Sequence, residues 1–248
     1  MEQPTLPPGP PVGKSIIDVL TAPGDIFQSL KGTASSPKLW VVPLITSLLV
    51  AVGVTIAIMT DATLHGQILD QQRAQFEKMV DQGKLSRDEA ERRIDGMERM
   101  GVGIFIAIGS IAAIIFISAA FFLGALVLWL VDKTILKCPL GYDKHLELFG
   151  IAGWIGVFGG IVTVLMMIGL GSMGGTPSAA LAVLGNYDPA NNTHKFLSAL
   201  NVFSIWQTAV VGIGLGKLSG KSTVTGLAVA FVLWLIWVGI SVSLGLVR

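Results

Sequence analysis

The chain has 248 residues, of which 52% are hydrophobic and 13% charged, with a formal charge of +1 and a mean hydropathy of +0.71. A soluble domain carries about 25% charged residues, so this balance excludes a disordered chain and argues against a water-soluble enzyme. A near-neutral charge offers no basic field for nucleic acid. The class that remains is an all-α, polytopic membrane protein divided into spans of about 20 residues.

Residues 1–14 form a Pro-rich flexible tail, with Pro4, Pro7, Pro8, Pro10 and Pro11 disfavouring regular structure. No long apolar run occurs in the first thirty residues, so no cleavable signal peptide is expected. Residues 15–37 read as an interfacial amphipathic segment. Ser15-Ile-Ile-Asp18 has the spelling of a capping box, and short apolar stretches are broken at Pro23-Gly24. The alternative is a short connector packed on the bundle.

Residues 38–248 make a membrane domain with five apolar runs at about 39–60, 101–131, 147–170, 196–216 and 223–246. A run of 21 residues at 1.5 Å each covers the ~30 Å hydrocarbon core. Between the first two runs, 61–100 is polar but periodic. Leu64, Ile68, Phe76 and Val80 share one helical face, and Ala90, Ile94 and Met97 another. Gln82-Gly83-Lys84 interrupts the pattern, and Ser86-Arg-Asp-Glu89 is a capping box. The expectation is an extramembrane helical hairpin, each arm continuing its adjacent span. The segment 171–195, rich in Gly, Ser, Pro and Asn, reads as irregular, and Asn191-Asn-Thr193 has the spelling of a glycosylation acceptor.

Eight lysines lie near span ends on the N-terminal side: Lys14, Lys31, Lys38, Lys133, Lys137, Lys144, Lys217 and Lys221. Basic residues close to spans stay in the cytoplasm. The N-terminus is therefore expected inside and the C-terminus outside. The hairpin, with seven basic and nine acidic residues, lies outside in this arrangement.

Catalytic spelling is sparse. His65, His145 and His194 are scattered, HExxH and GxSxG are missing, and Cys138 has neither a CxxC partner nor another cysteine to bridge,. No catalytic residue, metal site or cofactor is expected. Glu147, His145 and Lys144 fall at a span edge, where they are expected at the interface with Lys144 reaching water. The most polar span is the fourth. Asn201, Ser204 and Thr208 recur at i, i+3 and i+7, flanked by Gln207. This face is a candidate for helix packing or for a functional path. Gly150, Gly153, Gly156, Gly160 and Gly212 are candidate packing glycines, suited to a tight bundle or a homo-oligomer seam.

Leu200-Asn-Val-Phe-Ser-Ile-Trp206, Gly212-Ile-Gly-Leu-Gly216 and Ser219-Gly-Lys-Ser222, with Leu20-Thr-Ala-Pro-Gly-Asp-Ile-Phe27, resemble the Yip (Ypt-interacting protein) membrane family, in its bacterial branch. The resemblance implies five helices, a cytoplasmic N-terminus and a bacterial inner membrane. Eukaryotic members of that family bind Rab-type GTPases. Here the tail is short and Pro-rich and lacks their acidic-aromatic motif, so that partner is not carried over. The functional expectation is a non-enzymatic membrane protein that organises partners or lipids. Its partners would be membrane lipids and a membrane or periplasmic protein. The alternative is a transporter or channel component for a small uncharged or lipid substrate.

Overall fold

The computed structural model describes residues 6–188 and 191–243. Pro4, positions 244–246 of the expected fifth span and Arg248 lie outside the described residues. The fold is all-helical, with one isolated bridge, Ser178 to Asn201, among the described residues. Five segments are long and apolar enough to cross a membrane: Lys38–Thr60, Val102–Leu136, Tyr142–Leu170, Val202–Ser219 and Thr223–Ser243. The chain is a multi-pass membrane protein.

Two short helices come first, α1 (Val12–Thr21) and α2 (Pro23–Leu30). Ser15 does not cap α1. The helix starts three residues earlier, after Pro11, and the buried Ser15 hydroxyl donates to the Val12 carbonyl (2.7 Å). Proline at the cap suits a helix start, because its missing N–H would be unsatisfied there. Val19, Ile26, Phe27 and Leu30 are buried in the same core as Leu148, Ile151, Leu215 and Leu218. Phe27 reaches into the notch left by Gly214, which Leu148 shares. The segment is therefore packed on the end of the bundle.

The bundle runs side by side as α6 (Val102–Val131), α3 (Lys38–Thr60), α7 (Tyr142–Leu170), α9 (Val202–Ser219) and α10 (Thr223–Ser243). Inside α3, Pro43 cannot donate to the Leu39 carbonyl. That carbonyl faces Gly150 on α7, where a Cβ would stand 2.7 Å from it and 2.5 Å from the Trp40 Cα. The freed carbonyl and the bare glycine let two backbones touch. Trp40, Phe121, Phe122 and Phe149 fill the adjoining α3–α6–α7 space with ring centroids 5.4–6.3 Å apart, a spacing at which edge-to-face rings attract.

Two helices form the extramembrane hairpin, α4 (Ala62–Asp81) and α5 (Arg87–Arg99). Gly83 turns at φ +68°, and Ser86 caps α5 by accepting from the Glu89 N–H. The arms do not run on from the spans. Asp61 is extended (ψ 118°) and accepts from the Thr63 and Leu64 N–H groups, and Gly101 is extended (ψ 149°). An Asp side chain that satisfies two free amides stabilises a new helix start over continuation of the old one.

The segment after α7 is more ordered than its composition suggests. It holds a 3₁₀ helix, Ala179–Asn186, and α8 (Asn192–Ala199), whose cap is Asn191. The fourth span accordingly starts later than 196. Asn201 caps α9, and 192–199 is a separate helix.

Candidate functional site

The turn between α6 and α7 carries the most concentrated chemistry. The helix α6 widens into a π turn, Asp132–Leu136, that ends at Lys137 in the left-handed region (φ 61°). A π turn re-aims side chains at its level. Here it puts Asp132 inside, and the chain then doubles back so that α7 starts beside it. The Asp132 Oδ2 lies 2.7 Å from the His145 Nε2, with both residues fully buried. The His145 Nδ1 lies 2.9 Å from the Gly141 carbonyl. A carbonyl only accepts, so Nδ1 carries a hydrogen, and one further proton is shared between Nε2 and Oδ2. The Asp132 Oδ1 has no hydrogen-bond partner among the described residues.

Next to His145 in the chain, the Lys144 ammonium donates to the Glu147 Oε2 (2.8 Å) and to the Ala34 carbonyl (3.2 Å). The Ser36 N–H donates to the other Glu147 oxygen, and the Ser35 hydroxyl donates to Asp143. The burial of Lys144, His145 and Glu147 corrects the expectation of side chains reaching water. Lys144 and Glu147 are buried, and Lys144 pairs with Glu147 instead of reaching water. The physical reason is the loop 31–37, which folds over the start of α7 and replaces solvent with backbone donors and acceptors. The cluster fastens that loop, and the two N-terminal helices before it, to the bundle.

Cys138 sits beside this cluster, buried, its thiol donating to the Leu218 carbonyl (3.5 Å). Burial first, and the nearby Asp132 in addition, pushes the thiol from its ordinary 9.0 up to about 11. A thiol held in that form is a poor nucleophile. The arrangement holds a proton and fixes a loop, and it presents no activated nucleophile.

The four polar residues of the fourth span are only partly brought together. Asn201 is the cap and stands outside the helix, accepting from the Phe203 N–H (2.9 Å) and the Ser204 N–H (3.4 Å). Ser204 accepts from the Trp234 indole on α10 (2.9 Å). Thr208 donates back to the Ser204 carbonyl (2.8 Å). The Gln207 amide oxygen lies against Gly156 on α7, 3.1 Å from where a Cβ would stand.

Of the candidate glycines, Gly150 meets α3, a Cβ on Gly160 would stand 3.5 Å from Val50 and Gly212 meets the α10 backbone, all within the chain. Nothing in the chain lies within 4 Å of the Cβ position at Gly153. The tightest contact of all belongs to Gly226, where a Cβ would stand 2.1 Å from the Gly212 carbonyl. Four residues on, the buried Ala230 completes a small-xxx-small spacing on α10,, a signal in the sequence that could have revealed this seam.

No curated protein and no solved structure matches the sequence. A family model, the Yip1 domain, matches residues 17–245, a stretch that starts inside α1 and takes in α2, the hairpin and all five spans. The chain belongs to the Yip1 domain family.

Proposed function

We propose that this protein is a non-enzymatic membrane scaffold whose α4–α5 hairpin docks a protein partner on the side of the membrane opposite the N-terminus. The observation that carries the reading is how the hairpin is held. At its base, Gln67 donates to the Gly171 carbonyl (2.8 Å) and accepts from the Met173 N–H (2.9 Å), fixing α4 to the end of α7. Between the arms, Arg73 pairs with Glu98 (2.6 Å), and Leu85, Ala90 and Met97 are buried. Beyond that, Lys84, Arg87, Asp88, Glu91, Arg92 and Arg93 are exposed. A fixed base with a charged outer face suits recognition, because little ordering entropy is lost on binding. The N-terminus would face the cytoplasm of a bacterial inner membrane, as the eight lysines near span ends favour. The internal bonds of Ser204, Thr208 and Asn201 support a packed α9 over a conduit.

The test is extraction into native nanodiscs through an N-terminal tag, with mass spectrometry of what co-purifies. Wild type is compared with a deletion of 62–99 and with the triple variant Arg87→Glu, Arg92→Glu, Arg93→Glu. One near-stoichiometric protein should be present with wild type and lost from both variants while the bundle stays folded. An unchanged profile in both would refute the docking role.

A further inference from the structure

We infer that a cleft between α8, the start of α9 and the last turns of α10 binds the uncharged, hydroxyl- and ester-bearing glycerol region of a membrane lipid. This is independent of the hairpin's role. The cleft has a volume of about 230 Å³ and is lined by Asn201, Ser204, Trp234, Trp237 and Ser241, among others. A water takes up ~30 Å³ in the liquid, so the cleft accommodates a polar group several times that size.

Ser241 makes this a site. It is 3% exposed, and its hydroxyl has no hydrogen-bond partner among the described residues. A hydroxyl withdrawn from water without a partner is unfavourable, and more so at membrane depth. Its polar neighbours Asn201 and Ser204 make their bonds elsewhere through their oxygens. The Asn201 side chain caps α9, and the Ser204 hydroxyl holds the Trp234 indole. Ser241 is left to bond whatever enters.

The lining sets the chemistry of the occupant. No Asp, Glu, Lys or Arg lines the cleft, so a phosphate or ammonium group gains nothing there. Hydroxyls, an amide and two indole rings suit neutral oxygens on an apolar stem. The cleft lies at the end of the bundle where α9 begins and α10 finishes. This is the level of a membrane–water interface, where Trp concentrates and where a lipid's ester and glycerol oxygens lie. Trp237 is 49% exposed at its mouth, which leaves a lateral opening for acyl chains.

The test uses the full chain in phosphatidylcholine nanodiscs containing a photoactivatable diacylglycerol analogue, with cross-linked peptides mapped by mass spectrometry. Labelling should concentrate in 198–204 and 234–241. Unlabelled dioleoylglycerol should reduce it at least fivefold, while millimolar free glycerol should not. Ser241→Ala removes only the orphaned hydroxyl, so it should lower that labelling several-fold and leave the thermal midpoint unchanged or higher. Ser204→Ala provides a second variant and should also weaken the labelling. Labelling spread evenly over the lipid-facing helices would overturn the proposal. So would labelling unchanged in both variants, which is the result if water alone fills the cleft. Competition by free glycerol would assign the site to a soluble polyol and overturn the lipid assignment.

Discussion

Asp132 and His145 are hydrogen-bonded to each other with both side chains fully buried, and this makes the identity of each atom testable. In Asp132→Asn, the amide N–H can donate to the His145 Nε2 while Nδ1 keeps its bond to the Gly141 carbonyl. The pair survives as a neutral hydrogen bond, and the expected loss is below about 1 kcal/mol. Asp132→Ala leaves the Nε2 buried without a partner, and removing one member of a buried pair costs about 3 kcal/mol. Thermal unfolding in detergent, followed by Trp fluorescence, should therefore separate the two variants clearly. Equal and large losses would mean that the pair is held as full charges. This dyad is hard to find in the sequence, because its two residues stand at the edges of different spans. Thirteen positions separate them, and only the turn 137–141 brings them face to face. The Lys144–Glu147 pair, in contrast, is legible as an i, i+3 spacing. Its burial is not, because the covering loop 33–36 lies more than a hundred residues away in the chain.

At the scale of helices, the contact between α9 and α10 rests on a lack of side chains. A Cβ on Gly226 would stand 2.1 Å from the Gly212 carbonyl and 2.5 Å from the Gly216 N. Both are backbone atoms, and they cannot move without the helix. Gly226→Ala should therefore push the two helices apart, at the cost of about 1–3 kcal/mol typical of overpacking, and lower the unfolding midpoint by several degrees. Gly153→Ala is the matched control. Nothing lies within 4 Å of that position, so the substitution should be neutral or add up to about 1 kcal/mol from helix propensity. A similar midpoint for both variants would show that the α9–α10 seam is not tightly packed. The five spans themselves were legible, since apolar length alone reports them. Their ends were less so. The fourth span starts at Val202 because Asn201 stabilises a cap there, a preference that competes with the apolar run of 196–200 and wins locally. At the hairpin, Ser86 marks its helix start, whereas Asp61 is hidden at the end of an apolar run.

For the whole molecule, an odd number of spans puts the hairpin and the α9–α10 turn on opposite sides of the membrane. Lys84 in the hairpin turn and Lys221 in the α9–α10 turn are both exposed. They are suitable reporters, and the native cysteine does not interfere. Cys138 is 4% exposed and its thiol is held up to about 11, so it stays protonated at pH 8 and out of reach of a maleimide. Because its folded value is raised, the native state keeps a proton that the unfolded state loses between about 9 and 11. Its contribution to stability is therefore intact at the labelling pH and falls only as pH rises through that window,. In intact cells, a membrane-impermeant maleimide should label Lys84→Cys at once, and Lys221→Cys only after permeabilisation. The unsubstituted chain should stay unlabelled until it is denatured. The opposite pattern would invert the molecule. The eight lysines would then lie outside, and the hairpin's charged face would seek its partner in the cytoplasm.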